Sequence, residues 1–273
     1  MPRSEVARSI LQSNPKSQIL EHGYINIYSE LNSKEKRQIN YKLLYKSKHP
    51  GWDETQVFLS GKFNELVIKD AIVLDAGCGN GNYVIDENRK NIAWAVGIDT
   101  DSEFFSKNIC LDEVIVGNLE NLPFDNNSFD AVVSLWVLEH LDNPKKVFSE
   151  IHRILKPGGI FLFATPYKYY FPLVFVEIIN SLRLNSIVNK FLFGRDKKDI
   201  FKTFYKANTL KDVRSLSRDT FDELELKLNQ DPSYTSFNGV TFILTDLLLN
   251  LFSRMNITLG KPHIIGILKK KYT

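Results

Sequence analysis

The segment VLDAGCGNG, residues 73–81, places an apolar run directly before three glycines at alternate positions. Glycine has no Cβ, so it adopts positive φ angles and lets a ligand approach the main chain closely. A buried strand that ends in such an open turn predicts a seat for a nucleotide-like cofactor. A dinucleotide-binding turn reads G-x-G-x-x-G, but the residue three positions after Gly79 is Asn82. The spacing therefore excludes a nicotinamide dinucleotide site.

The residues around this turn alternate between strand and helix patterns. Asn143 and Pro144 begin a helix pattern with apolar residues at helical spacing, and the Pro-Gly-Gly at 157–159 ends it. This alternation predicts an α/β fold with a doubly wound sheet. Short apolar runs predict five buried strands, at 71–77, 93–99, 113–118, 129–137 and 160–164.

The chain changes character on both sides of this core. Residues 1–65 predict a polar, tyrosine-containing helical extension, and residues 66–166 the cofactor-binding core. Residues 167–208 predict an acceptor-binding lid. Residues 209–273 predict the C-terminal part of the sheet with an additional apolar helix. The apolar segments near 169–182 and 239–252 are shorter than the ~20 uninterrupted residues of a membrane span, so at most they rest on a membrane surface beside the basic tail at 269–271.

Charge is distributed unevenly along the chain. Residues 64–166 carry eight Lys/Arg and sixteen Asp/Glu, whereas residues 167–273 carry seventeen and ten. One interpretation is ordinary solvated helix faces. The other is an acidic core that suits a cationic cofactor, with basic flanks that face an anionic substrate or membrane surface. A net charge of only +3 and the lack of a recognisable binding module argue against a nucleic-acid partner.

The cysteine and histidine content predicts neither disulfides nor a metal site. The chain has two cysteines, Cys78 and Cys110, and five scattered histidines. Its N-terminus lacks the apolar run of a signal peptide, so we expect a cytoplasmic protein. The oligomeric state is not predicted.

Asp99 ends the second predicted strand, 22 residues after Gly77. In a doubly wound sheet this places a carboxylate beside the glycine turn, where it can accept hydrogen bonds from two ribose hydroxyls. The alternative is that Asp99 only caps a helix that begins near Asp101.

Five blocks in this order resemble the cofactor region of class I methyltransferases, which use S-adenosyl-L-methionine (AdoMet). They resemble most the type 11 group, which includes quinone and small-molecule methyltransferases. The blocks are VLDAGCGNG, GID, GNLENLPFDNNSFDAVVS, LEHLDNP and HRILKPGGIFLFATP, within residues 72–166. The resemblance implies a Rossmann-like, seven-stranded, mostly parallel sheet with helices on both faces, an N-terminal helical extension and a helical lid after the fifth strand.

The resemblance also implies a set of cofactor-binding residues at the strand ends. Asp75 would orient the methionyl amino group, and Asp99 would hold the ribose. Asn118 stands where the family often has an acidic residue that accepts from the adenine amino group; its amide oxygen can accept the same bond. The full set is Asp75, Gly77, Cys78, Gly79, Asp99, Thr100, Asn118, Leu119 and Trp136.

His140 is the candidate catalytic residue because it follows the fourth strand, at the edge where ligands bind. A neutral imidazole accepts a proton near pH 7, so His140 could act as a general base toward a hydroxyl or an acidic carbon. The alternative is that it packs on the cofactor or orients a loop.

Aromatic residues are the candidates for binding the methyl acceptor, because they suit a flat or apolar small molecule. The alternative is that these rings bury one another in a lid core. The candidates are Tyr24, Tyr28, Tyr167, Tyr169 and Tyr170.

The sequence thus predicts an AdoMet-dependent methyltransferase for a small or medium-sized organic acceptor in a biosynthetic pathway. Oxygen is favoured as the methylated atom over carbon or nitrogen. Two alternatives stay open: a lipid or quinone methyltransferase at a membrane surface, and a non-catalytic AdoMet-binding protein.

Overall fold

The structure is a computed structural model that describes residues 33–102, 108, 110–174, 202–236 and 238–272. The predicted acceptor residues Tyr24 and Tyr28 lie outside the described residues, as does most of the predicted lid at 167–208. The domain boundaries drawn from the sequence stay predictions.

The described residues form strands and helices that alternate over most of the chain. The helices are α1 (Ser33–Lys48), α2 (Thr55–Leu66), α3 (Tyr83–Asn88), α4 (Pro144–Ile154), α5 (Leu210–Ser217) and α6 (Gly239–Arg254). The strands are β1 (Ala71–Ala76), β2 (Ile92–Asp99), β3 (Glu113–Val116), β4 (Phe129–Leu135), β5 (Leu155–Pro166), β6 (Phe221–Asn229) and β7 (His263–Lys270).

The seven strands form one sheet in the order β3-β2-β1-β4-β5-β7-β6. Strands β1 to β5 pair in parallel, whereas β7 pairs antiparallel with both β5 and β6. The predicted seven-stranded, mostly parallel sheet is therefore confirmed. The strand order reverses between β1 and β4, and ligands of open α/β sheets bind in the crevice at such a point, outside the carboxyl ends of the strands. This edge carries the candidate site.

Helices cover both faces of the sheet, which explains why the central strands are apolar on both sides. Leu74 and Ala76 of β1 belong to the core under α4 and α5, whereas Ala71 and Val73 belong to the core under α2 and α3. Parallel strands buried in this way read as continuous apolar runs, as residues 71–74 do.

The passage from α4 to β5 differs from the prediction. Asn143 caps α4 as expected, but the helix ends at Ile154 and β5 begins at the next residue. The Pro-Gly-Gly at 157–159 therefore lies inside the strand. There the pairing with β4 shifts: one residue of β4, Asp130, stands opposite four of β5, residues 156–159, and Gly158 has a positive φ of 76°. The glycines make a bulge rather than a loop.

Helices α1 and α6 pack on each other and form a third, smaller core. The Tyr41 ring stacks on Phe242 at 5.0 Å, and Tyr45 and Leu249 are buried beside them. The opposite face of α6 is exposed: Val240, Ile243, Leu244, Leu247 and Leu251 are 51–68% accessible. No helix among the described residues is long and apolar enough to cross a membrane.

The basic tail does not lie beside these apolar residues, contrary to expectation. β7 runs antiparallel to β5, so Lys269–Lys271 lies at the edge of the sheet opposite the candidate site. Lys270 Nζ donates to the Leu155 carbonyl (2.7 Å) and to Asn127 Oδ1 (2.8 Å). This lysine therefore fastens the end of β7 to the start of β5.

Candidate cofactor and acceptor site

The glycine turn after β1 has the open backbone that its sequence predicts. Gly77, Gly79 and Gly81 have φ angles of 80°, 43° and 141°. A Cβ on Gly77 would lie 2.3 Å from Val137 Cγ2, whereas one on Gly79 would meet nothing within 4 Å. Packing therefore requires glycine at position 77, and Gly79 borders open space that a ligand could enter.

Asp75 lies fully buried in β1, between Gly97 of β2 and Val133 of β4. Its Oδ1 accepts a hydrogen bond from Asn82 Nδ2 (2.7 Å), but its Oδ2 has no hydrogen-bond partner among the described residues. Burial raises the pKa of Asp75 to about 8. This orphaned carboxylate oxygen suits a ligand that brings a positive, hydrogen-donating group, such as an ammonium.

Asn82 is a site residue that the sequence analysis missed. Its Nδ2 holds Asp75, and its Oδ1 accepts from Val84 N (3.1 Å) and so caps α3. The residue that interrupts the dinucleotide spacing thus starts the helix and orients the carboxylate. An asparagine directly before an apolar helical run was the available signal.

Asp99 ties the end of β2 to the glycine turn. Its Oδ2 accepts from Gly79 N (2.9 Å) and its Oδ1 from Asp101 N (3.1 Å). The second bond is a local turn bond, and the helix of the capping alternative lies outside the described residues. A carboxylate offers about four acceptor positions, so both oxygens keep capacity for ribose hydroxyls.

Two carboxylates beside the turn raise the pKa of Asp75 further. Burial raises the pKa of Asp86 to about 6, and the charges of Asp86 and Asp99 add to the burial effect on Asp75. A cationic ligand would relieve this repulsion. The residues present therefore fit AdoMet, which carries an ammonium and a sulfonium group.

The remaining predicted cofactor residues differ in their exposure to solvent. Thr100 is exposed after β2, Asn118 is exposed after β3, and Leu119 is buried in the core. Asn118 Oδ1 already accepts from Glu120 N (2.8 Å), so only its second lone pair could serve an adenine amino group.

Cys78 does not present its thiol at the edge. Its sulfur is buried so closely against β2 that a Cβ on Gly97 would lie 2.8 Å from it, and burial raises the pKa of the thiol to about 12. Only the backbone of Cys78 belongs to the turn, because its side chain fills the core. Its carbonyl accepts from the buried Asn108 (3.1 Å), a second residue that sequence reasoning missed.

Trp136 lies on a different part of the edge from the one predicted. It has a strained φ of 61°, and its backbone N–H donates to the Ala164 carbonyl (2.9 Å). The centroid of its indole lies 4.6 Å from that of the His263 ring. The side chain therefore reaches over β5 toward β7, away from the glycine turn. Strained backbone of this kind often occurs at ligand sites.

His140 occupies the single 3₁₀ turn Leu138–His140 that follows β4. Its Nδ1 lies 2.9 Å from the Lys202 carbonyl, which can only accept, so Nδ1 carries the hydrogen and the neutral ring has its lone pair on Nε2. Nε2 lies 3.9 Å from Glu139 Oε1. His140 Nε2 could therefore accept a proton while the Glu139 carboxylate lies beside it.

His263 is a second histidine at this edge, and no sequence signal singled it out. Its Nδ1 lies 2.9 Å from Thr55 Oγ1 and its Nε2 lies 3.2 Å from the Tyr234 hydroxyl. Burial lowers its pKa to about 4, so it is neutral at pH 7. The imidazole lies between the rings of Trp136 and Tyr234.

The predicted acceptor tyrosines divide into buried and exposed rings. Tyr170 is buried and contacts Tyr234 (6.2 Å), and burial raises its pKa. Tyr167 and Tyr169 pack edge to face at 5.7 Å nearer the surface. Tyr170 is thus a core ring, whereas acceptor binding by Tyr167 and Tyr169 stays a prediction. The described residues contain no cluster that could hold a metal ion.

Comparisons with known proteins agree with this geometry. A family model described as a methyltransferase domain matches residues 74–163. Two Arabidopsis thaliana proteins match over part of the chain. A tRNA (carboxymethyluridine(34)-5-O)-methyltransferase is 34% identical over 41% of this chain and 26% of its own length. 24-methylenesterol C-methyltransferase 2 is 34% identical over 33% of this chain and 27% of its own length.

Among solved structures, a SAM-dependent methyltransferase of Methanosarcina mazei shares the fold. Its TM-score is 0.50 at 19% identity, over 78% of this chain and 98% of that one. The chain spans about half or less of the length of the curated relatives it matches first. The matched segment, the strand order and the orphaned Asp75 carboxylate agree, and the chain therefore carries a class I, AdoMet-dependent methyltransferase domain.

Proposed function

We propose that the protein transfers the methyl group of AdoMet to a small or medium-sized organic acceptor in a cytoplasmic biosynthetic pathway. Oxygen is the favoured acceptor atom. One observation carries the proposal: a carboxylate-lined turn on β1 and a histidine base after β4 lie at the same edge of adjacent strands. Adjacent strands are about 4.8 Å apart, so both sets of groups fall within the span of one cofactor and one acceptor.

Bound AdoMet would supply a methyl group that its sulfonium already activates, so the protein's task is mainly alignment. Asp75 would hold the methionyl amino group of the cofactor and Asp99 its ribose, and the open space beside Gly79 would admit it. His140 Nε2 would take the proton that blocks the acceptor's lone pair. The Lys202 carbonyl fixes the tautomer that makes Nε2 the basic nitrogen.

The acceptor class rests on the side of the edge that carries rings. Trp136, Tyr167 and Tyr169 are only partly buried there, which suits a flat or apolar molecule. The two Arabidopsis relatives are named for a tRNA oxygen and for a sterol carbon. Relatedness therefore leaves the acceptor open, and tRNA and sterols belong among the compounds to be tested.

The exposed apolar face of α6 favours one alternative, a lipid or quinone methyltransferase that works at a membrane surface. Val240, Ile243, Leu244 and Leu247 lie at helical spacing on one side of this helix. Interfacial helices have such a face. Co-sedimentation with vesicles, with and without anionic lipid, tests it: pelleting supports the alternative, and its absence in both cases contradicts it.

Calorimetric titration with AdoMet and with its demethylated product tests the cofactor assignment. We expect wild-type protein to bind both. Asp99→Ala loses the acceptor oxygens, whereas Asp99→Asn keeps one that can still accept from Gly79 N or Asp101 N. The alanine variant should therefore bind more weakly than the asparagine variant. No heat with wild-type protein would contradict the assignment.

Methyl transfer is tested with AdoMet labelled in its methyl group and a panel of phenols, quinols, sterols, short carboxylates and tRNA. A labelled product identifies the acceptor. His140→Gln should then lower turnover by about 10²–10⁴-fold while AdoMet affinity stays the same. An unchanged rate would remove His140 from the mechanism. Binding without any labelled product over the whole panel would favour the non-catalytic alternative.

A further inference from the structure

The carboxylate next to His140 is held by a chain of hydrogen bonds. Asn208 Nδ2 donates to Thr165 Oγ1 (2.7 Å) and to the Pro166 carbonyl (2.8 Å). Thr165 Oγ1 in turn donates to Glu139 Oε2 (2.9 Å). All three side chains are buried, with Thr165 and Asn208 fully inaccessible. Buried polar groups arranged in this way hold one orientation.

The direction of each bond follows from the Pro166 carbonyl. A carbonyl only accepts, so Asn208 must present its amide nitrogen there, and the same nitrogen donates to Thr165. The Thr165 oxygen receives this hydrogen and directs its own to Glu139 Oε2. Oε1 is therefore the carboxylate oxygen that faces His140, with 3.9 Å between Oε1 and Nε2.

The main chain holds the same turn from the other side. Phe204 N and Tyr205 N donate to the Glu139 carbonyl at 2.7 and 3.2 Å, and the Lys202 carbonyl accepts from His140 Nδ1. Residues 202–208 thus fasten the turn at both its backbone and its side chains.

Several charged groups of the described residues bear on the surroundings of His140. Glu139 faces it from the same turn, Lys202 belongs to the segment packed on it, and Lys206 pairs with Asp142 at the surface. Burial raises the pKa of Glu139, whereas a charged His140 and the Thr165 hydroxyl lower it. The carboxylate is therefore ionised most readily when His140 is protonated.

We propose that Glu139 is a positioning residue that acts through His140: its fixed carboxylate stabilises the imidazolium form of His140 during proton transfer. The inference rests on the proposed methyltransferase function. With a hydroxyl acceptor, the new O–CH₃ bond forms as the S–CH₃ bond breaks, the sulfur leaves as a neutral thioether, and the hydroxyl proton moves to His140 Nε2. The carboxylate of Glu139 then balances the new positive charge.

The test measures the reactivity of His140 itself, without an acceptor. Diethyl pyrocarbonate acylates neutral imidazole, and peptide mass spectrometry reports the rate at each histidine of the full chain. Glu139→Gln removes a negative charge 3.9 Å from His140 Nε2, and an opposite charge nearby favours the charged, unreactive form of an imidazole. We expect His140 to react about threefold faster at pH 6.5.

The chain offers a matched internal control. His49 Nε2 pairs with Asp246 Oδ1 at 2.8 Å, and the side chains of His49 and His140 are 29% and 32% exposed. Glu139→Gln should leave the rate at His49 unchanged, and Asp246→Asn should accelerate His49 alone. Glu139→Asp, which keeps the charge, should restore most of the wild-type rate at His140.

An unchanged rate at His140 in Glu139→Gln would overturn the proposal. If that variant fails to fold, Thr165→Val provides the test, because it keeps the Glu139 carboxylate and removes the hydrogen bond that fixes its orientation. We expect His140 to react faster than in the wild type, but by less than in Glu139→Gln. An unchanged rate in Thr165→Val would then contradict the proposal. AdoMet calorimetry on the same samples separates the two hypotheses. Lack of AdoMet binding by wild-type protein refutes the proposed function. The reactivity of His140, in contrast, tests only the proposed role of Glu139.

Discussion

The two sides of the carboxyl edge differ in how burial shifts the pKa of the groups they hold. On the cofactor side, Asp75 is buried in β1 and Asp86 is half-buried in α3, and burial raises their pKa values to about 8 and about 6. On the proposed acceptor side, the start of β7 buries His263, and burial lowers its pKa to about 4. The cofactor side therefore favours a cationic ligand, whereas His263 stays uncharged beside the ion pair of Lys42 and Asp231. This difference agrees with the proposed binding of a positively charged cofactor on one side alone.

The largest expected effect comes from Gly77 on the cofactor side. A Cβ there would lie 2.3 Å from Val137 Cγ2 on a backbone with positive φ, so Gly77→Ala should destabilise the fold by about 3 kcal/mol or more, as overpacking and strain add. Gly79→Ala meets no atom within 4 Å and should cost only about 1–2 kcal/mol, while weakening AdoMet binding. Urea denaturation measures both variants. Equal losses would show that packing does not distinguish the two glycines.

The acceptor side should become unstable in acid. The pKa of His263 is lower in the folded than in the unfolded protein, so the unfolded chain binds more protons between about pH 6.5 and pH 4 and stability falls as the pH drops through that window. The loss should reach about 2–3 kcal/mol at pH 4. His263→Gln should flatten this part of the curve. The slopes of stability against pH are compared rather than the absolute stabilities, because the variant also loses its bond to Thr55 or Tyr234. A slope equal to that of wild type would contradict the assignment.

The cofactor side should respond to pH in the opposite sense. The folded pKa of Asp75 lies above the unfolded value, so stability without ligand is present below about pH 4 and falls as the pH rises toward 8. Binding of a cationic ligand favours the ionised carboxylate. AdoMet affinity should therefore rise by up to about tenfold per pH unit below pH 8, with proton release.

Calorimetry in two buffers of different ionisation enthalpy measures that proton release. Asp75→Asn serves as the control because it keeps an oxygen for Asn82 and cannot ionise. The difference between the two proteins removes the contribution of the cofactor's own amino group. Identical proton release by both would exclude Asp75 as the linked group.

The smallest effect is expected on the exposed face of α6, which borders the acceptor side. Leu247→Lys should change stability by less than about 0.5 kcal/mol, since the side chain is mostly exposed. Leu249→Ala on the opposite face of the same helix should cost about 2–4 kcal/mol, because Leu249 packs with Tyr45 and Phe242. Thermal denaturation compares the pair. A large loss in Leu247→Lys would show that this face is covered in solution.

The cofactor side was the more predictable from sequence, for a reason visible in particular residues. Gly79 and Asp99 are 20 positions apart, and the strand–turn–helix pattern between them determines where both lie. The pattern did not predict that the Cys78 side chain is buried, because a residue between two glycines of the turn can point into the core or out of it. The sequence spacing does not distinguish these directions.

The acceptor side was not predictable in the same way. The His263 ring lies within hydrogen-bond distance of Thr55, although the two residues are 208 positions apart in the chain. Tyr45 donates a hydrogen bond to Gln230, which is 185 positions away. The cofactor role of Trp136 stays a prediction; the ring that Trp136 contacts belongs to β7, whose place in the sheet comes from antiparallel pairing with β5. No local pattern carries that information.

The sequence by itself determined the fold class, the glycine turn and the carboxylates beside it, because these depend on short-range periodicity and on the conformational freedom of glycine. The tertiary structure decided which groups stand opposite the cofactor. It buried His263 as a neutral ring, joined Glu139 to Asn208 through Thr165, and placed Lys270 at the far edge. These outcomes depend on burial and on contacts between distant segments, and burial sets both the charge state and the orientation of a polar side chain.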